Sequence, residues 1–352
     1  MLASIQFLRF VAALMVTVYH AQSAASKVGG SFPQWFLDLA WIGAAGVPVF
    51  FAISGLVMRF SSAREFGNPG APAAFIARRA LRIYPVYWFV ALLFLAFPPL
   101  YLVGWPEDAL RVAPALLLLP GYAAGIITPG WTLAYELYFY AVFALLLWLP
   151  AVTAVAALTI FFLASVAAST VLAGVNPFLG LATNPQLLIF LSGVLFAHWI
   201  LRDAGAAGGA LSRALARVPA VIPFAIAILG FAVAPIPHHQ GVPPTLTLGL
   251  PSIMLVVAAA LAEAQGRVPR FVRTWAWLGD SSYALYLVHT LVIWHAASWL
   301  GPHGGNFPAG VLRVVALVIV SLAAGFAVHY VFERPLMGWL RRRRRSRSVS
   351  RQ

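Results

Sequence analysis

Hydrophobic residues along this chain fall into long blocks separated by short polar joints. Ten blocks stand out, at residues 5–23, 42–59, 84–103, 131–149, 151–171, 186–201, 219–234, 245–263, 278–299 and 309–332. Each is close to the length an α-helix needs to cross a bilayer, about 20 residues. An eleventh apolar stretch, 110–123, is shorter and carries Pro114. The pattern predicts an all-α polytopic membrane helix bundle with about ten transmembrane helices.

The polar joints set the direction of threading. Seven arginines near the C-terminus (Arg341 to Arg345, Arg347 and Arg351) place that end in the cytoplasm by the positive-inside rule. Counting back, the joints with Arg267, Arg270 and Arg273 and with Arg202, Arg213 and Arg217 are also inside. Counting forward from an inside N-terminus, so is the joint with Arg59, Arg64, Arg78, Arg79 and Arg82. The two counts agree only if an odd number of crossings joins residue 83 to residue 130. The stretch 110–123 is therefore expected to be a re-entrant or interfacial helix on the outer side. Outer joints then hold little charge beyond Lys27, Glu107, Asp108 and Arg111, and Pro235–Pro244 is an outer loop. Both termini are expected to be cytoplasmic, with a membrane domain over 1–335 and a basic tail over 336–352 that anchors topology and touches anionic membrane lipid. No positive charge precedes the first apolar block, so it reads as a retained helix and not as a cleaved signal.

Composition narrows the class further. The chain has 352 residues, 62% hydrophobic and only 9% charged, and its mean hydropathy is +0.89. A soluble surface cannot be made from that mixture. A net charge of +14 would suit nucleic acid, yet the arginines lie in the joints, so no nucleic-acid partner is expected. There are no cysteines, which excludes disulfides, thiolate metal sites and a thioester on the protein. No metal cluster, phosphate-loop glycine pattern or Gly-x-Ser-x-Gly elbow is present, and no metal is expected.

Ionisable residues inside the blocks then carry the functional signal, because each costs roughly 2.5–3.5 kcal/mol at the centre of a span. Arg9 and His20 are eleven residues apart on one helical face, about 16 Å along the axis. They cannot touch each other but can flank an elongated ligand; the plainer reading is a snorkelling Arg9 and an interfacial His20. Glu136 is expected at a depth similar to His20, where a carboxylate would fix the imidazole tautomer and raise its basicity. A structural carboxylate bonding nearby tyrosines is the rival. Ser282, Tyr286 and His289 follow i, i+4, i+7 spacing and form one polar stripe, either a site or helix–helix glue. His329 and Glu333 read as a helix-end ion pair. Arg78, Arg79 and Arg82 lie in a loop before the third block. They satisfy topology alone, but guanidinium groups clustered at a cavity mouth also bind phosphates.

Six strings, in order from the first block to the last, resemble integral-membrane acyltransferase family 3, the O-acetylases of bacterial surface polysaccharides and related acceptors. They are Leu8–His20, Gly46–Gly55, Arg79-Ala-Leu-Arg82 with Tyr84-Pro85, Trp131–Glu136, Leu278–His289 and Phe332-Glu-Arg-Pro335. The resemblance implies a ten-helix fold in the bacterial cytoplasmic (inner) membrane. It also implies activity depending on Arg9, His20, Arg79 and Arg82, an acyl-coenzyme A donor with acetyl-coenzyme A the expected form, and a saccharide acceptor. Some relatives carry a fused extracytoplasmic domain, so an acyl relay here would need a separate extracytoplasmic partner.

On that reading Arg79, Arg82 and Arg9 hold the donor's phosphates at the cytoplasmic mouth. The pantetheine arm carries the thioester to His20, which acts as base or acyl carrier with Glu136 orienting it. Tyr286 and Ser282 are the candidate oxyanion donors. The rival class is a transporter or flippase that moves a glycolipid or acyl group without catalysis. His20 separates the two, because a carrier tolerates Gln there and a base does not.

Overall fold

The structure, a computed structural model, describes residues 2–97, 109–203, 217–300 and 306–349, and all regular elements among them are helices. The ten apolar blocks correspond in order to α1 (Ala3–Lys27), α2 (Gly46–Ser61), α3 (Ala71–Ala96), α4 (Gly130–Leu146), α5 (Ala151–Ala167), α6 (Leu187–Asp203), α7 (Val221–Val233), α8 (Gly249–Ala264), α9 (Ser282–Leu300) and α10 (Phe307–Val328). Helices suit the sequence because lipid offers no partner to backbone N–H and C=O groups, and a helix satisfies them within the segment. Seven stretches among the described residues are long and apolar enough to cross a membrane: Ala3–Lys27, Gln34–Ser61, Ala71–Ala96, Pro177–Ile200, Val221–His239, Pro244–Ala264 and Phe307–Leu340. In several of these a short helix or turn extends the long one; α4 and α5 are apolar but shorter. The chain is a multi-pass membrane protein. Residues 98–103 of the third block, Glu107, Asp108, Arg213, His303 and Arg351 lie outside the described residues.

α1 sits at the centre and packs on α2, α8, α9 and α10. Small residues make this possible, with Ala12, Ala13, Ala21, Ala24 and Ala25 fully buried. α2 and α6 approach even more closely. A methyl group added at Gly55 would run into the carbonyl of Phe190, and one at Gly193 into the carbonyl of Ala52. The outer faces of α5, α7 and α10 expose Ile160, Leu229 and Leu312, as lipid contact requires.

Two elements differ from expectation in ways that shape the site. α3 begins at Ala71, with Pro72 in its first turn, and absorbs Pro85 into its interior. Arg78, Arg79 and Arg82 therefore stand on a helix and not in a loop. The alanine-rich run before them favours helix, and Pro72 in the first turn suits a helix start. The stretch 110–123 is a helix only over Ala109–Leu116 and then breaks into turns, with Leu118 at φ 58°. Its end is tied to α3: Ala115, Leu116 and Leu117 carbonyls accept from Tyr87 Oη (2.7 Å), Trp88 Nε1 (2.9 Å) and Tyr84 Oη (3.1 Å). Three side-chain donors thus satisfy carbonyls that a helix terminus leaves open. At the other end of the chain, α10 continues through a π-helical turn at His329–Glu333 into a helix over Arg334–Val349. The boundary drawn at 335 falls inside that continuous rod. His329 Nδ1 and Glu333 Oε2 are 2.8 Å apart, an i, i+4 pair.

Candidate active site

α1 runs past two cavities, with Arg9 in the wall of one and His20 in the wall of the other. The histidine cavity, about 290 Å³, is walled near His20 by Tyr19, Trp131, Thr128, Gln186 and Thr245. Among the described residues, no Asp, Glu, Lys or Arg lines it. His20 Nδ1 lies 2.9 Å from His289 Nε2, and the rings stack with centroids 5.0 Å apart. His289 Nδ1 lies 3.1 Å from the Leu285 carbonyl, which can only accept, so that nitrogen carries the proton. In neutral His289 the other nitrogen, Nε2, is then an acceptor. His20 Nδ1 donates to it, and the one lone pair left over is on His20 Nε2. A backbone carbonyl one turn up α9 thus sets the tautomer of a histidine on α1.

The arginine cavity, about 350 Å³, holds Arg9, Arg79 and Arg82 with one carboxylate, Glu136. Each arginine is held differently. Arg9 Nη1 donates to Gln6 Oε1 at 3.2 Å, and Gln6 Nε2 donates to Asp280 Oδ1 at 2.6 Å, so a carboxylate orients Arg9 through an amide. Arg79 Nη2 donates to Ser61 Oγ at 2.9 Å, and its guanidinium lies over Phe75 and Tyr140, 5.1 and 5.2 Å from the ring centres. Arg82 has no hydrogen-bond partner among the described residues. Arg78, the third arginine of that cluster, is bound through one nitrogen to both Glu65 oxygens at 2.5 and 2.6 Å and is absent from the cavity wall. Three cations against one anion make the cavity selective for anions, and spare guanidinium donors suit phosphate oxygens.

Glu136 is not beside His20. Its Oε1 accepts from Ser54 Oγ at 2.8 Å and from the Tyr140 hydroxyl, and it lines the arginine cavity. The orienting position expected for it is occupied by His289. Its Oε2 has no hydrogen-bond partner among the described residues. Of the polar stripe on α9, His289 joins His20, whereas Ser282 Oγ donates to the Gly279 carbonyl at 2.7 Å. Tyr286 Oη lies 2.8 Å from Thr132 Oγ1, which itself donates to the Pro129 carbonyl at 2.8 Å. The threonine has one proton, so the tyrosine donates its own. Neither candidate oxyanion donor is free in this conformation. Sequence reasoning did not single out Gln6, Asp280, Ser54 or Thr132, although Gln6, three residues before Arg9 on the same face, carried a signal; Tyr140, four residues after Glu136, fits the rival reading of a carboxylate bonding nearby tyrosines.

The acyltransferase domain family model matches residues 2–330. The chain belongs to the acyltransferase 3 family. It is an acyltransferase, and a carrier without chemistry gives way to an enzyme. Among known proteins it is 34% identical over 338 residues to the exopolysaccharide production protein ExoZ of Rhizobium meliloti (strain 1021), covering 93% of this chain and 96% of that one. It is 29% identical over 387 residues to the acyltransferase MdmB of Streptomyces mycarofaciens, covering 97% of this chain and 93% of that one. No solved structure matches the acyltransferase.

Proposed function

We propose that this acyltransferase moves an acyl group, acetyl in the first instance, from acyl-coenzyme A to a hydroxyl of an extracytoplasmic glycan or its lipid-linked precursor in the bacterial cytoplasmic membrane. The arginine cavity receives the donor's phosphates from the cytoplasm on Arg82, Arg79 and Arg9. Glu136 Oε2 accepts from an N–H or O–H of the pantetheine arm. The histidine cavity receives the acceptor. Flat aromatic faces (Tyr19, Trp131) with neutral amide and hydroxyl groups (Gln186, Thr128, Thr245) suit a sugar ring and its hydroxyls, and the relative ExoZ is named for exopolysaccharide production.

The observation that carries this reading is the lone pair that the Leu285–His289–His20 chain leaves on His20 Nε2. That nitrogen removes the acceptor hydroxyl proton as the oxygen attacks the thioester carbon. The carbon–sulfur bond breaks, the proton passes to the departing thiolate, and the products are an ester and free coenzyme A. The positive charge on His20 during the step is shared with His289 through their bond. An acyl-His20 intermediate would use the same lone pair.

The test is acyl transfer in membranes carrying the native chain or His20→Ala, with labelled acetyl-coenzyme A and host surface glycan. Label is expected in the glycan only with His20 present, a loss of about a hundredfold or more. Equal labelling in both overturns the assignment.

A further inference from the structure

The two cavities share two wall residues, Val47 at the start of α2 and Tyr286 on α9. Donor and acceptor, on the reading above, enter through different cavities, yet a thioester and a hydroxyl oxygen must come into contact to react. Whatever separates the cavities has to yield during each turnover. Tyr286 is built to be that part. It is 7% exposed, its ring rests edge-on against Phe50 (centroids 5.4 Å) and beside His289 (5.9 Å), and a single hydrogen bond, to Thr132 on α4, latches it. Val47 follows Gly46, whose missing side chain lets α2 close onto the Ala12 carbonyl of α1; that side of the partition is fixed by backbone contact. Turning one ring costs far less than separating helices packed on their backbones.

We propose that Tyr286 is the movable partition between donor and acceptor cavities, and that opening it frees its hydroxyl to donate to the thioester oxygen. Closed, the tyrosine spends its proton on Thr132, whose own proton is committed to the Pro129 carbonyl. Open, the same proton is available where negative charge develops on the carbonyl oxygen. Access and activation are thereby linked: water from the acceptor side cannot reach a thioester before the ring moves. The purpose assigned to the partition rests on the proposed reaction, but the partition itself does not.

The chain has no cysteine, so an introduced one is the sole thiol. Val57→Cys places it in the arginine cavity and Thr245→Cys in the histidine cavity. Right-side-out and inside-out vesicles are treated with a membrane-impermeant methanethiosulfonate. With Tyr286 intact, the two thiols are expected to react from opposite sides. Tyr286→Ala should let the Val57→Cys thiol react from the side that modifies the Thr245→Cys thiol, and Thr132→Val should raise that rate about fivefold, the value of one lost hydrogen bond. Unchanged sidedness in both variants, or both thiols reacting from one side in the parent, overturns the partition. If Tyr286→Ala does not accumulate in membranes, Thr132→Val and Tyr286→Phe carry the test, since both spare the ring. Labelling needs no catalysis, so it remains readable even if no acyl transfer is found. The hydroxyl's role is read separately. Tyr286→Phe should leak like Thr132→Val but transfer about a hundredfold more slowly than Thr132→Val, which keeps the phenol that donates to the thioester oxygen. Equal transfer in both overturns it.

Discussion

The two cavities along α1 treat buried polar groups in opposite ways. In the histidine cavity one hydrogen-bonded chain runs from the Leu285 carbonyl through His289 to His20, and one lone pair remains at its end. In the arginine cavity the partners are too few: three guanidinium groups face one carboxylate, and Arg82 has no hydrogen-bond partner among the described residues. The first arrangement is neutral and directional, the second charged and unsatisfied. A closed chain with one open end is what proton transfer needs, and an unsatisfied cluster is what captures an anion. In both, what the protein leaves unpaired indicates what it binds.

The sharpest way to break this contrast is His289→Ala. It leaves His20 in place but removes the acceptor that holds its Nδ1 proton, so the ring is free to turn and to change tautomer. The transfer rate should fall by about a hundredfold with little change in KM for acyl-coenzyme A, because the arginine cavity is untouched. His289→Gln offers an amide oxygen as acceptor and should recover part of the loss. Steady-state kinetics in membranes or detergent checks both. A rise in KM with an unchanged rate would mean the dyad holds the helices together and sets no tautomer.

Arg82→Ala tests the other side. A charge-assisted hydrogen bond to phosphate contributes about 1.5–3 kcal/mol, so KM for the donor should rise by roughly 10- to 100-fold with the rate at saturation kept. The native KM should also rise with salt, and the variant's less steeply. An effect on rate alone would remove the anion from the argument.

The sequence shows these two cavities unequally. The cost of a charge in lipid is a local property, so Arg9, His20 and Glu136 stood out one by one, and the ten helices follow from block length. Contacts across the bundle are not local. His20 and His289 are 269 residues apart in the chain, and no spacing rule joins them. Glu136 was expected beside His20, but it lines the arginine cavity instead. Trp131 and Glu136 differ by five positions, roughly 140° of rotation, which turns one toward the histidine cavity and the other toward the arginines. Gln6 escaped notice because an amide carries no charge, although its position three residues before Arg9 marks it as a neighbour.

Gln6 gives the next and smaller test. Gln6→Ala cuts Arg9 off from Asp280 without removing a charge from the cavity. Arg9 keeps its charge and loses only its orientation through a long 3.2 Å bond, so an effect of about 1 kcal/mol predicts a KM increase of about fivefold, below the effect at Arg82. Asp280→Asn should act in the same direction, and the double variant should add little, since both changes break one chain. Additive effects would mean that the relay through Gln6 does not exist.

The smallest effect is the most discriminating. Arg78 belongs to the same arginine cluster as Arg79 and Arg82, and a reading by charge alone gives all three the same weight. In the fold it is occupied by Glu65, half out in solvent at 39% exposure, and it does not reach the cavity wall. An exposed ion pair of that kind contributes about 0–1 kcal/mol. Arg78→Ala should therefore leave the donor KM within about twofold of native, in the same assay that registers Arg82→Ala as a large change. If the two variants behave alike, the arginines of this segment act as a diffuse positive field and the cavity has no built anion site. If they differ as expected, a few ångströms of side-chain placement, and not the charge count of the segment, determine which arginines hold the donor.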